Sequence, residues 1–128
     1  MKKTLLSVVL FVLMLVLAGP NAWADNSRIA VVAQGNTPEA EVSPVAARGP
    51  YFLIFDGKDV FIEALANPHQ NAGGSASTLV VDELSGKGVT KIIAGDFGNK
   101  MITALKARRI SYLKFKGTAV DAVKQAVQ

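Results

Sequence analysis

No cysteine occurs among the 128 residues, and histidine and tryptophan occur once each. Without thiols the chain forms no disulfide, and it can hold neither a metal cluster nor a structural zinc through protein thiolates. A lone imidazole, His69, limits any metal centre to one histidine ligand. Charge of one sign is also scarce. The formal net charge of +4 falls to +2 once Lys2 and Lys3 are set aside, too little for the clustered basic face that nucleic acid requires. The longest apolar run, residues 5–18, is shorter than the ~20 residues of a spanning helix. It follows Lys2-Lys3 and precedes Ala22-Trp23-Ala24, the small-x-small pattern of secretory cleavage. This pattern predicts a signal peptide over residues 1–24 and one mature domain over residues 25–128, periplasmic or secreted, with no stable membrane anchor after cleavage. Pro20 occupies the place where a lipid-bearing cysteine would stand, and Lys2-Lys3 is not a twin-arginine signal.

Catalytic patterns are missing too. Ser43, Ser75, Ser77 and Ser85 have only His69 as an imidazole base, and no Gly-x-Ser-x-Gly elbow, Walker motif or Gly-x-Gly-x-x-Gly fingerprint is present. Two-metal phosphodiester chemistry needs converging carboxylates. Residues 28–33 contain none, Asp56 and Asp59 fall in a turn, and Asp82 and Glu83 fall on the wet face of a helix. The chain is read as a non-enzyme.

What is present is a regular alternation. Residues 29–33 and 51–55 are continuous apolar runs, the mark of strands covered on both faces. The long loop between them, residues 34–49, is of a length more typical of binding loops than of connectors. Asp56-Gly57-Lys58-Asp59 joins residues 51–56 and 59–66 as a hairpin. Helices are expected over residues 75–84, with Ala76, Leu79, Val80 and Leu84 as the apolar stripe, and over residues 99–108, with Met101, Ala104 and Leu105. Strands are expected at residues 90–94 and 110–115. Thr118-Ala119-Val120-Asp121 caps a last helix whose Val120, Val123 and Val127 face inward. The sum is an α/β fold, a mixed five-stranded sheet with three helices.

Two joints deliver a loop or strand into glycines that open a helix: Asn67-Pro68-His69-Gln70-Asn71-Ala72-Gly73-Gly74, and Ile92-Ile93-Ala94-Gly95-Asp96-Phe97-Gly98. A third, Phe115-Lys116-Gly117-Thr118, follows the next apolar run. Free N–H groups at a helix start suit an anion, although glycines at such joints also serve simply as tight turns. Parallel strands place these joints on one sheet edge, where ligands of open α/β folds sit. Arg48 ends the long loop, and its guanidinium suits a sulfur- or oxygen-rich anion. Lys100 adds charge beside the Gly95–Gly98 turn. Arg48 and His69 are expected to converge on one ligand.

These segments, with Arg28-Ile29-Ala30-Val31-Val32, Val42-Ser43-Pro44 and Arg48-Gly49-Pro50-Tyr51-Phe52, resemble the dinitrogenase iron-molybdenum cofactor-binding family, the NifX/NafY-like domain, from about Arg28 to Val127. The resemblance implies a ribonuclease H-like arrangement and a non-catalytic carrier or scaffold for a small anionic cofactor, a metal-sulfur, iron-molybdenum-type or oxometalate cluster, serving a metalloprotein client. It implies a cofactor-binding set of Ser43, Arg48, His69, Asn71, Gly73, Gly74, Gly95, Gly98 and Lys100, with His69 as the metal ligand. Where many relatives carry a His-Phe pair after Ser-Pro, this chain has Val45-Ala46. The alternative is an interaction module of the same fold that has lost its ligand.

Overall fold

A computed structural model describes residues 27–127. The leader over residues 1–24 and its cleavage before Asp25 lie outside the described residues. The strands are β1 (Arg28–Ala33), β2 (Tyr51–Asp56), β3 (Phe61–Ala66), β4 (Val89–Ala94) and β5 (Ser111–Lys114). The helices are α1 (Ala76–Gly86), α2 (Asn99–Ala107) and α3 (Ala119–Ala126), with a 3-10 turn over Gly73–Ser75 ahead of α1. The sheet order is β3-β2-β1-β4-β5. β1 pairs antiparallel with β2 and parallel with β4, and β5 extends the parallel half. This is the mixed five-stranded, three-helix arrangement expected.

Side chains alternate across the sheet, so even-numbered residues of the central strands face one layer and odd-numbered ones the other. Ala30, Val32, Phe52, Ile54, Ile92 and Ala94 pack under α1 and α2 through Val80, Leu84, Met101 and Leu105. Ile29, Val31, Leu53, Phe55 and Ile93 pack under α3 through Ala119, Ala122 and Val123. Burial on both faces explains why β1 and β2 read as unbroken apolar runs.

Several expectations are corrected in detail. In α1 the buried residues are Ala76, Val80, Val81 and Leu84, while Leu79 is exposed. The helix is turned so that Val81, not Leu79, flanks the Ala76-Val80-Leu84 stripe. In α3 the buried residues are Ala119, Ala122 and Val123, Val120 is half-buried and Val127 exposed. Two alanines on that stripe let the helix lie close on the sheet. The hairpin strand β3 begins at Phe61 rather than Asp59, because the Asp56 carboxylate accepts from the amides of Lys58 and Val60 and holds those residues in the turn. The first glycine joint opens α1 indirectly: Gly73, at φ +63°, starts the 3-10 turn and α1 follows at Ala76.

Candidate functional site

The parallel strands β1 and β4 end on one rim of the sheet, and residues 34–50 fold across it. Ser43 N–H donates to Val32 O and Gly95 N–H donates to Ser43 O, each at 2.7 Å, so the loop is stitched to both strand ends. Two glycines permit this closeness. A Cβ on Gly49 would overlap Val32, and one on Gly95 would stand 2.8 Å from the Pro44 backbone. Ser43 is buried, its hydroxyl donating to Val45 O at 3.0 Å. Ser43 and Gly95 therefore build the floor of the rim, and the Gly95 amide is already spent on protein.

Arg48 leaves this loop toward the first glycine joint, donating to Gln70 O at 3.0 Å and to Gly73 O at 2.6 Å. The same joint is held from its other end by buried Asn67. Its Nδ2 donates to Ala47 O and Gly49 O, and its Oδ1 accepts from His69 N–H. The His69 ring turns away to α1, with Nε2 3.0 Å from Glu83 Oε2. Asn71 is exposed.

The start of α2 faces this assembly. Gly98 is its N-cap and carries no capping side chain, the first turn holds no acid, and the first intrahelical bond runs from Ile102 N–H to Gly98 O. N–H groups ahead of that bond have no intrahelical partner and give this end a partial positive charge. The start of α1 is likewise without a side-chain cap or a first-turn acid. Between the two helix starts lies a cleft of about 250 Å³, walled by Arg48, Gly73 and Gly74 on one side and Gly98 and Lys100 on the other, with Met101 also lining it. Among the described residues, no carboxylate lines it. Lys100 Nζ reaches back across, 3.7 Å from where a Gly74 Cβ would be.

The structure thus brings together Arg48, Gly73, Gly74, Gly98 and Lys100. Ser43, His69, Asn71 and Gly95 do not line the cleft, and Arg48 and His69 address different partners. Gly95 instead borders a separate depression of about 600 Å³ with Glu41, Asp96, Lys114 and Lys116. There the Phe97 amide and the Lys114 ammonium, 3.2 Å away, hold the Asp96 carboxyl below its ordinary value. Sequence reasoning gave Asn67 no role of its own, although an Asn-Pro step directly after a strand was its signal, and took Val45 only as a departure from the family, whereas Val45 stands half-exposed at the cleft. Among the described residues, no three His, Cys, Asp or Glu side chains gather into a metal-holding group.

No curated protein matches the chain. Among solved structures, the apo form of the orange protein from Desulfovibrio gigas is 26% identical and superposes with a TM-score of 0.73, over 78% of this chain and 86% of that one. A putative NifB protein from Thermotoga is 31% identical with a TM-score of 0.65, over 77% and 84%. The family described as dinitrogenase iron-molybdenum cofactor matches residues 27–128. Sheet order, glycine joints and rim loop occur here within that matched span, and the chain belongs to the dinitrogenase iron-molybdenum cofactor family.

Proposed function

We propose that this chain is an exported, non-catalytic carrier or scaffold for a small anionic metal-sulfur or oxometalate cluster, bound in the cleft between the starts of α1 and α2. One observation carries the reading: two helix starts without side-chain caps or first-turn acids converge on a cleft bracketed by Arg48 and Lys100 and lined, among the described residues, by no carboxylate. Amides and cations would receive an anion's outer sulfur or oxygen atoms without a bond from protein to metal. Arg48 keeps guanidinium donors beyond the two it gives to Gln70 and Gly73. His69 would join as a ligand only by leaving Glu83. The family's namesake cofactor supports the cluster class, and the Ala22-Trp23-Ala24 pattern supports export.

Titration of the protein with tetrathiomolybdate, followed by the anion's own visible absorption, tests the reading. One charge-assisted contact is worth ~1.5–3 kcal/mol, so Lys100→Gln is expected to weaken binding roughly ten- to a hundredfold. Equal binding by wild type and by the Lys100→Gln, Arg48→Gln double variant would remove the cleft from consideration.

A further inference from the structure

The third glycine joint, Phe115-Lys116-Gly117-Thr118, takes no part in the cleft. It follows β5, whose carboxyl end lies beside that of its parallel neighbour β4. The chain leaves these two strands in opposite directions, α2 packing on one face of the sheet and α3 on the other. Connections that diverge in this way leave a crevice between them, and ligands of open α/β sheets sit outside the carboxyl ends of the strands. Here the crevice is the depression of about 600 Å³, which shares no lining residue with the cleft.

Backbone hydrogen bonds fix its floor. Val42 N–H donates to Gly117 O at 2.8 Å and Gly95 N–H to Ser43 O at 2.7 Å, so the rim loop closes the depression from below against both strand ends. Gly117 makes this path possible, at a φ of +136° that L side chains rarely adopt. The charges around the floor differ from those of the cleft. Glu41 and Asp96 border it together with Lys114 and Lys116, two of each sign. Asp96 and Lys114 satisfy each other at 3.2 Å. Among the described residues, Glu41 and Lys116 have no ion-pair partner, although the bridge from Glu41 to Thr118 brings their two segments together. One free carboxylate and one free ammonium therefore share a single hollow.

We infer that this depression is a second binding site, for a small zwitterion of the α-amino acid class, whose carboxylate meets Lys116 and whose ammonium meets Glu41. A simple anion would lie against two carboxylates there and a simple cation against two ammonium groups, whereas a molecule carrying both charges finds a partner for each. Val42 and Pro44 offer apolar surface to a short side chain. The size is that of small-molecule sites, and a floor already held by hydrogen bonds needs no ordering when the ligand arrives. This inference does not rest on the ligand proposed for the cleft, which contains no carboxylate among its described residues and suits a plain anion.

Titration with L-alanine, followed by NMR through the backbone amides of Gly95, Asp96 and Gly117, tests it. Alanine is expected to shift these signals saturably. Acetate, which lacks the ammonium, and methylammonium, which lacks the carboxylate, serve as its two halves. An exposed ion pair changes affinity by at most about fivefold, so each half should bind roughly fivefold more weakly than alanine. Lys116→Gln should bring alanine down to the level of methylammonium, and Glu41→Gln to the level of acetate. Both side chains are exposed, so the melting temperatures of these variants should match wild type. The inference is overturned if alanine leaves the three amides unmoved, if either half binds as tightly as alanine, or if Lys100→Gln in the cleft weakens alanine as much as Lys116→Gln does.

Discussion

The starts of α2 and α3 follow the same local plan, a parallel strand running into a glycine-containing turn and then a helix, yet they meet opposite fates. At α3 every early donor has a protein acceptor: Ala119 N–H gives to Ala40 O, Val120 N–H to Pro38 O, and Asp121 N–H to Thr118 Oγ1. Asp121 also places a carboxylate in that first turn. At α2 there is neither cap nor acid, and Lys100 adds positive charge. One helix start is closed by the fold for stability, and the other is left open. The difference lies in the long loop, which crosses α3 at residues 38–40 but passes the α2 start only with Val45 to Arg48 beside it.

The comparison holds only while the loop and the first glycine joint stay in place, so its largest test is Asn67→Ala. Three hydrogen bonds are lost and the carbonyls of Ala47 and Gly49 lose this buried donor, at an expected cost of about 2–4 kcal/mol in chemical denaturation. Unchanged stability would mean the cleft wall is held by something else. Gly98→Asp makes α2 resemble α3. No atom lies within 4 Å of the added Cβ, so the variant should fold, gain a few tenths of a kcal/mol from the new cap, and bind tetrathiomolybdate about tenfold more weakly. A variant that gains stability and keeps its affinity would show that the open amides do not receive the anion.

Thr118→Ala is the converse. Loss of the α3 cap should cost ~1 kcal/mol in thermal melts while anion binding is unmoved. The smallest effect is a pH response at the boundary between the two regions. Asp96 has its carboxyl held below 3.8 by the Phe97 amide and Lys114, so its ionised form stabilises the fold. That contribution is complete above the unfolded value and disappears as pH falls through the lower folded one. Carbon-detected NMR titration should therefore place the Asp96 midpoint below 3.8, with loosening at residues 95–97 only under strong acid. A midpoint above that value would remove the Lys114 contact from solution.

How much was legible beforehand follows the same division. β1, β2 and β4 announced themselves because burial on both faces demands continuous apolar residues, and the α3 cap was readable because Thr118 and Asp121 are three positions apart. Arg48 and Lys100 were legible as charges beside glycine joints. The partners of Ser43 and Gly95 were not legible, because they depend on contacts between chain-distant segments, Ser43 with Val32 and Gly95 with Pro44. His69 had no sequence signal for its choice of Glu83, which lies on the next helix.

The sequence by itself determined the order and kind of every strand and α-helix, the two-sided core and the placing of glycines near the helix starts, because those follow from local periodicity and backbone freedom. Only the tertiary structure decided which helix start stays open and which cations face it. A free amide is defined by the carbonyl that fails to reach it. For α3 those carbonyls arrive from Pro38 and Ala40, on the far side of the sheet's connectivity, and for α2 the same loop turns aside at Gly49 to enter β2.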